Sequence, residues 1–509
     1  DEDREWMSRA MAGVLVVAVV WMALCGAVLV LPEWALDWRV WGHGLLGAAT
    51  VAAGWLSTLG GKADAGQGHG GGGATSRLKA TAGRLAPPVF IVLLAGALSV
   101  LTNVLLQGMH ALAETPILSH QGQPVTWRDH YAILEGSHPI QLVLLAAVLL
   151  LVSWIMARYV NINTFSLHAM YRDRLIRAYL GASNRDREAS PFTGFAPDDD
   201  IPMAALDPQR RPFHVVNLAL NLVSGSRLAW QQRKADSFTV TPLHCGNAQL
   251  GFRPSAEYAG GITLGTAVAL SGAAASPNMG YHSTPVVGFV MTLFNTRLGA
   301  WLGNPGAPGR RTWRLPGPLS AIGSLIKEAL GQTSDRTPFV YLSDGGHFEN
   351  LALYEMVRRG CRQIVVLDSG CDQEFRYDDL GNALRKIRID LGVPITFADA
   401  HMQPLRDRER RCAVATVEYS KANPGAQDGV LIYLKPLLRG NESPDVASYA
   451  AGHPAFPHQT TADQWFDESQ TESYRALGLH TVDEICRGWK GESLESLRDH
   501  IQEVYLARD

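Results

Sequence analysis

Four apolar stretches crowd the first 160 residues of this chain, and they constrain the fold more than anything that follows. Met11–Leu31 runs almost without interruption and has the length of a bilayer crossing, which takes about 20 predominantly apolar residues. Val40–Leu59 carries His43 and several glycines, and either spans or forms a hairpin with the first stretch. Val89–Leu106 and Ile140–Ala157 hold no charged residue. Core helices of soluble domains rarely stay uncharged for so long. The sequence therefore predicts a helical transmembrane region over residues 1–160, with spans near 11–31, 40–59, 89–106 and 140–157.

Loop charge orients the spans. Arg4 and Arg9 precede the first; Lys62, Arg77, Lys79 and Arg84 lie between the second and third; Arg158, Arg172, Arg174 and Arg177 follow the fourth. The other two loops hold only Arg39 and Arg128 among Glu33, Asp37, Glu114, Asp129 and Glu135. By the positive-inside rule the N-terminus and everything after the fourth span face the cytoplasm.

Composition narrows the partners. Among 509 residues, 45 basic side chains nearly balance 48 acidic ones, which leaves no bulk electrostatic footprint for nucleic acid. Six widely spaced cysteines show no CxxC pattern, so neither a zinc site nor a disulfide framework is expected, and a reducing compartment fits. The glycine run Gly66–Gly73 follows no strand and reads as a linker, while His110, His120, His130 and His138 have no metal-helix spacing. The chain opens on Asp1 and an acidic DEDRE, without the basic start of a secretory signal, and reads as the back part of a longer polypeptide.

Beyond the spans, residues 161–211 are polar and turn-rich, a juxtamembrane neck with a short basic helix over Met170–Leu180. Its Arg172, Arg174 and Arg177 either attract anionic lipid or form a solvated face. Pro212–Val223 and Phe238–Pro242 read as strands, Gly261–Ser276 as a helix of small residues stopped at Pro277, and Asn304–Arg336 as a loop. Phe339–Asp368 predicts a parallel βαβ unit, with strands at Phe339–Leu342 and Ile364–Leu367 around a helix ending at Gly360. Asp344 then sits at the carboxyl end of a strand, where open α/β sheets place ligands, and Gly345 and Gly346 allow close backbone approach. Asp-Gly is also a common turn, and an Asp ending a strand a common helix cap, so Asp344 alone admits both readings. Tyr377–Leu391 predicts a helix capped by Asp378 or Asp379. Ala413–Tyr419 and Val430–Leu434 read as strands paired across Asn423-Pro424-Gly425. The α/β part thus runs over 212–453, and 454–509 forms a polar tail ending in a helix.

Three of these segments, in order, resemble landmarks of the patatin-like phospholipases. Pro212–Gly225 is similar to that family's core strand, Ala267–Gly280 (AVALSGAAASPNMG) to its helix end, and Ser343–Asn350 (SDGGHFEN) to its DGG motif. The spans and the tail string FPHQTTADQWFDESQTESYRALG resemble a membrane-bound bacterial branch, which implies an integral protein of the inner membrane. The resemblance implies the C-terminal part of a three-layer α/β domain in which Asp344 is the base of a Ser–Asp dyad hydrolysing lipid acyl esters, without metal or organic cofactor. It also places Ser276, Asn278 and His282 near the site, while His347 and Asn350 either line the pocket or cap the next helix; Asp368 reads as a structural acid.

This chain departs from the pattern in one respect: it contains no G-x-S-x-G elbow. The nearest strings are Val223-Ser224-Gly225-Ser226 and Leu270-Ser271-Gly272, and Ser271 is expected in mid-helix. The nucleophile is therefore expected on an upstream N-terminal half, which would complete the site around a membrane lipid substrate. An acyltransferase would use the same dyad, and a non-catalytic membrane scaffold would keep the same fold.

Overall fold

The computed structural model describes residues 2–37, 74–112, 125, 129–210, 212–225, 232–280, 283–460 and 466–507. The N-terminal helices are α1 (Glu2–Asp37), α2 (Ala74–Leu112), α3 (His130–Gly136) and α4 (Pro139–Tyr159). Among the described residues, two helices are long and apolar enough to cross a membrane, Ala86–Leu112 within α2 and Pro139–Tyr159. They correspond to the third and fourth of the four expected spans. The first expected span lies in α1, whose apolar window is the shorter Val17–Glu33, closed by Pro32 and Glu33; the second, at 40–59, falls outside the described residues. Helix α1 packs on α2, where Ser99 Oγ donates to the Val28 carbonyl at 2.8 Å. The loop histidines have structural partners: His130 bonds Asn103, and His138 forms a capping box with Gln141 at the start of α4. His120 lies outside the described residues, and among those described no His, Cys, Asp or Glu cluster suits a metal.

Helix α5 (Leu167–Leu175) continues into a π-turn, Ile176–Gly181, and lies against the α/β part. Asn163 clamps the Trp301 backbone from both sides, Nδ2 donating to its carbonyl at 2.8 Å and Oδ1 accepting its N–H at 3.0 Å. His168 Nδ1 bonds the Leu298 carbonyl at 2.7 Å. The segment expected as a neck is thus packed onto the domain that follows it.

That domain holds two sheets. Strands β1 (Val216–Asn221), β2 (Ala235–Val240), β3 (His244–Asn247), β4 (Gly251–Pro254), β5 (Ala300–Gly303) and β6 (Phe339–Asp344) form one, in the order β4-β3-β2-β1-β6-β5, all antiparallel. Strands β7 (Gln363–Leu367), β8 (Ile395–Phe397), β9 (Cys412–Val417) and β10 (Gly429–Leu434) form the other, in the order β7-β10-β9-β8. The antiparallel β9–β10 pair lies where the sequence suggested it. Successive side chains alternate along β1. Leu218 and Leu220 enter a core with Phe238, Val240 and Leu342 beneath helix α6 (Leu264–Ser271), while Ala219 joins Phe348, Leu353 and the second sheet's Leu431 and Tyr433.

The parallel βαβ expectation is corrected. Strands β6 and β7 belong to different sheets, and β7 pairs in parallel with β10 instead. The intervening helix, Leu353–Arg358, has 6 residues. It spans roughly 9 Å, against roughly 20 Å for a strand of that length, too short to return the chain beside β6.

Three local readings also change. The small-residue helix is α6 alone, opened by Thr263 accepting from Thr266 N and stopped at Gly272, so Ser271 ends the helix instead of lying inside it. The Asn304–Arg336 loop contains an amphipathic helix, Ala321–Ala329, hidden by its Pro- and Gly-rich flanks. Helix Asp378–Leu391 has Tyr377, in a left-handed conformation (φ 58°), at its N-cap position, with no side-chain cap and neither aspartate in that place. Helix Pro444–Gly452 closes the α/β part, and the tail supplies helices Glu468–Ile485 and Leu494–His500. Ile485, Ile501 and Tyr505 cover the outer face of β9 and β10, and buried Arg411 pairs with Glu442 and Glu484.

Candidate active site

Strand β6 ends at Asp344, and the next residues, Gly345–His347, form a single 3-10 turn. The Asp344 Oδ1 atom accepts the Gly346 N–H at 2.7 Å. Both glycines sit in close quarters. A Cβ at 345 would lie 3.0 Å from the Asn217 carbonyl oxygen, and one at 346 would lie 2.7 Å from Asn350 Oδ1. Burial pushes the Asp344 carboxyl up to about 6 against the opposing pull of the Gly346 hydrogen bond, and the nearby Asp379 adds to the rise.

On β6, Asp344 and Leu342 share one face and Ser343 takes the other. Ser343 anchors a buried chain of hydrogen bonds. The Asn221 amide donates to Ser343 Oγ at 2.7 Å, and Asn221 Oδ1 accepts the Gly280 N–H at 3.0 Å. His347 Nε2 lies 3.2 Å from the Ala274 carbonyl, an acceptor only. In the neutral ring the proton therefore sits on Nε2, and Nδ1 accepts from the Ser343 hydroxyl at 2.7 Å. This chain fixes the Gly-Gly turn against β1 and the loop after α6.

The Asp344 face meets α6 and α5. Ser271 Oγ donates to the Asn217 carbonyl at 2.8 Å, and Asn217 precedes Leu218, which pairs with Asp344 across β1–β6. The Tyr171 hydroxyl stands where a Cβ on Gly272 would be 2.7 Å away. Burial first, and then the Asp344 charge, push the Tyr171 phenol up to about 12, so it stays protonated at neutral pH.

On the other side, Asn350 Nδ2 donates to Asp379 Oδ2 at 2.8 Å, and burial raises the Asp379 carboxyl. Asp368 is buried and structural in its contacts: it takes Lys435 Nζ at 3.0 Å, the Gly370 N–H at 3.0 Å and the Tyr433 hydroxyl.

Comparison with family models, curated proteins and solved structures finds no match to this chain. Its site is read from its own geometry. Of the pocket residues expected from sequence, His347 and Asn350 border the Asp344 turn. Ser276 and Asn278 are buried with partners other than the Asp344 turn: Ser276 Oγ accepts the Gly299 N–H at 3.3 Å, and Asn278 Nδ2 donates to the Glu328 carbonyl at 3.2 Å. His282 lies outside the described residues. Sequence reasoning missed Tyr171, Asp379 and Asn221. Only Asn221 left a signal, a polar side chain closing the apolar run of β1.

Proposed function

We propose that this chain is the base-bearing part of a membrane-associated serine lipid acyl hydrolase of the patatin-like kind, with Asp344 as the base. The observation that carries this reading is a carboxyl at a strand end, seated on two closely packed glycines and raised to about 6. Such a group is ionised at neutral pH yet basic enough to take a proton in a transition state. The hydroxyl proton of a serine passes to Asp344 as its oxygen attacks the ester carbonyl. The alcohol then leaves with a proton from the acid; water, deprotonated by the same carboxylate, attacks the acyl-enzyme, and the serine oxygen takes that proton back as the fatty acid is released. Tyr171, protonated beside the site, is suited to donate to the developing oxyanion. With an alcohol in place of water the same groups would transfer the acyl chain.

The sequence lacks a nucleophile elbow, so the reading takes the serine from a segment outside this chain. A second reading rests on Ser271, whose hydroxyl lies beside the strand residue next to the partner of Asp344. The test is phospholipid vesicle hydrolysis by the native protein, by Asp344→Asn and by Ser271→Ala. Asp344→Asn is expected to lower the rate roughly 10^4-fold, and unchanged turnover removes the carboxylate from the mechanism. Ser271→Ala leaves the rate intact if the nucleophile lies elsewhere and abolishes it if Ser271 is the nucleophile. A native protein inert on every acyl ester fits a scaffold and overturns the proposal.

A further inference from the structure

Two helices of the soluble part touch the two long apolar helices and leave apolar stripes uncovered. In the first, Pro285–Leu293, Val290 packs on Phe90 of Ala86–Leu112, and the ring of the next residue, Phe294, lies 5.2 Å from that of Phe90. In the second, Ala321–Ala329, the buried positions are Ala321, Ser324 and Glu328, one stripe at helical spacing. Ala321 packs with Ala157 of Pro139–Tyr159. Phe90 begins one apolar helix and Ala157 ends the other, so both soluble helices sit at the same end of the pair.

Their outward faces are apolar. Val286, Phe289 and Leu293 form a stripe on the first, and Ile322, Ile326 and Leu330 a stripe along the second, each residue between 36% and 58% exposed. A stripe of that kind on a water-soluble surface is costly and marks a contact. What lies beside the stripes identifies the cover. The flank of Ala86–Leu112 exposes Leu98 and Leu101, and the end of Pro139–Tyr159 exposes Trp154 and Tyr159, with the Arg158 guanidinium 5.8 Å from the Tyr159 ring. Aromatic and basic residues at one end of a long apolar helix are the signature of a bilayer interface.

We infer that the helices Pro285–Leu293 and Ala321–Ala329 lie in the plane of a lipid bilayer, their outward stripes sunk into the boundary between headgroups and acyl chains beside the two spans. They form a collar that holds the soluble domain down on the membrane. The first of them follows the loop through Gly280, whose N–H is bound by Asn221, so the collar is tied to the buried chain behind the Asp344 turn. This inference does not depend on the proposed hydrolysis.

The test uses the native protein in phosphatidylcholine vesicles doped with a phosphatidylcholine that carries a diazirine in its acyl chain. After photolysis, peptides covering 286–294 and 319–330 are expected to carry lipid adducts alongside those covering 86–112 and 139–159. Helix Glu468–Ile485, which also exposes Leu479 and Val482, is expected to carry none. Adducts confined to the two long helices overturn the collar. So do adducts spread equally over Glu468–Ile485, or no adducts at all. If 319–330 is instead captured by a protein cross-linker between two chains and escapes the lipid probe, a second copy covers the stripe.

Discussion

Asp344 costs the folded chain stability in exchange for its basicity, and the sign of that cost is testable. Its ordinary value is 3.8 and its folded value about 6. Between those values the folded chain keeps a proton that the unfolded chain has released, so stability falls as pH rises through this window and stays lower above it. Asp344→Asn preserves an oxygen to accept from Gly346 and removes the charge. The variant is expected to match the parent in stability at pH 4 and to exceed it by on the order of 2 kcal/mol at pH 7. Denaturant unfolding at the two pH values checks this, and a variant weaker than the parent at pH 7 contradicts it. Asp344 was legible because Ser-Asp-Gly-Gly after an apolar run states a strand end and a turn in adjacent residues. Asp379 and Tyr171 were not, because each reaches Asp344 from a distant stretch of chain, and no local spacing encodes a contact between elements.

Among the elements, the Gly345–His347 turn has little room for an added methyl group. A Cβ at 346 meets Asn350 Oδ1 at 2.7 Å and Asp344 Oδ1 at 3.1 Å. Asn350 would have to swing away, releasing Asp379, and the Asp344 carboxylate would be displaced. Gly346→Ala is therefore expected to reduce hydrolysis roughly 10^2-fold, the cost of a small misplacement at a reacting group, with the thermal midpoint little changed. Equal rates, measured beside a thermal melt, would contradict the packing argument. The elements themselves were read unevenly. Strands β1, β6, β7, β9 and β10 announce themselves as apolar runs between turn residues, whereas helix Ala321–Ala329 was lost among prolines and glycines. The βαβ unit was misread because sequence spacing cannot tell a crossover helix from a 6-residue one that bridges two sheets.

The whole molecule is held together by side chains that sequence patterns do not flag. Arg411 is fully buried against Glu442 and Glu484, joining the second sheet to the tail helix Glu468–Ile485. Arg411→Ala takes the cation from Glu442 and leaves Glu484 to Arg439, and is expected to destabilise the chain by about 3–5 kcal/mol, read as a fall in the thermal midpoint in detergent. A change within error would mean that the tail is not docked through this pair. Pairing the substitution with Glu484→Gln should recover part of the loss. The apolar helices were legible by length, but their relation to Pro285–Leu293 and Ala321–Ala329 rests on contacts between distant segments.

If one carboxylate on a glycine turn governs acyl-ester hydrolysis, its proton sets the pH profile of the native protein on phospholipid vesicles. The rate should rise about tenfold per pH unit below 6 and level off above it, as Asp344 loses its proton, and Asp344→Asn should stay at background throughout. A native profile without an inflection near 6, or a variant that keeps the native turnover, would contradict the account.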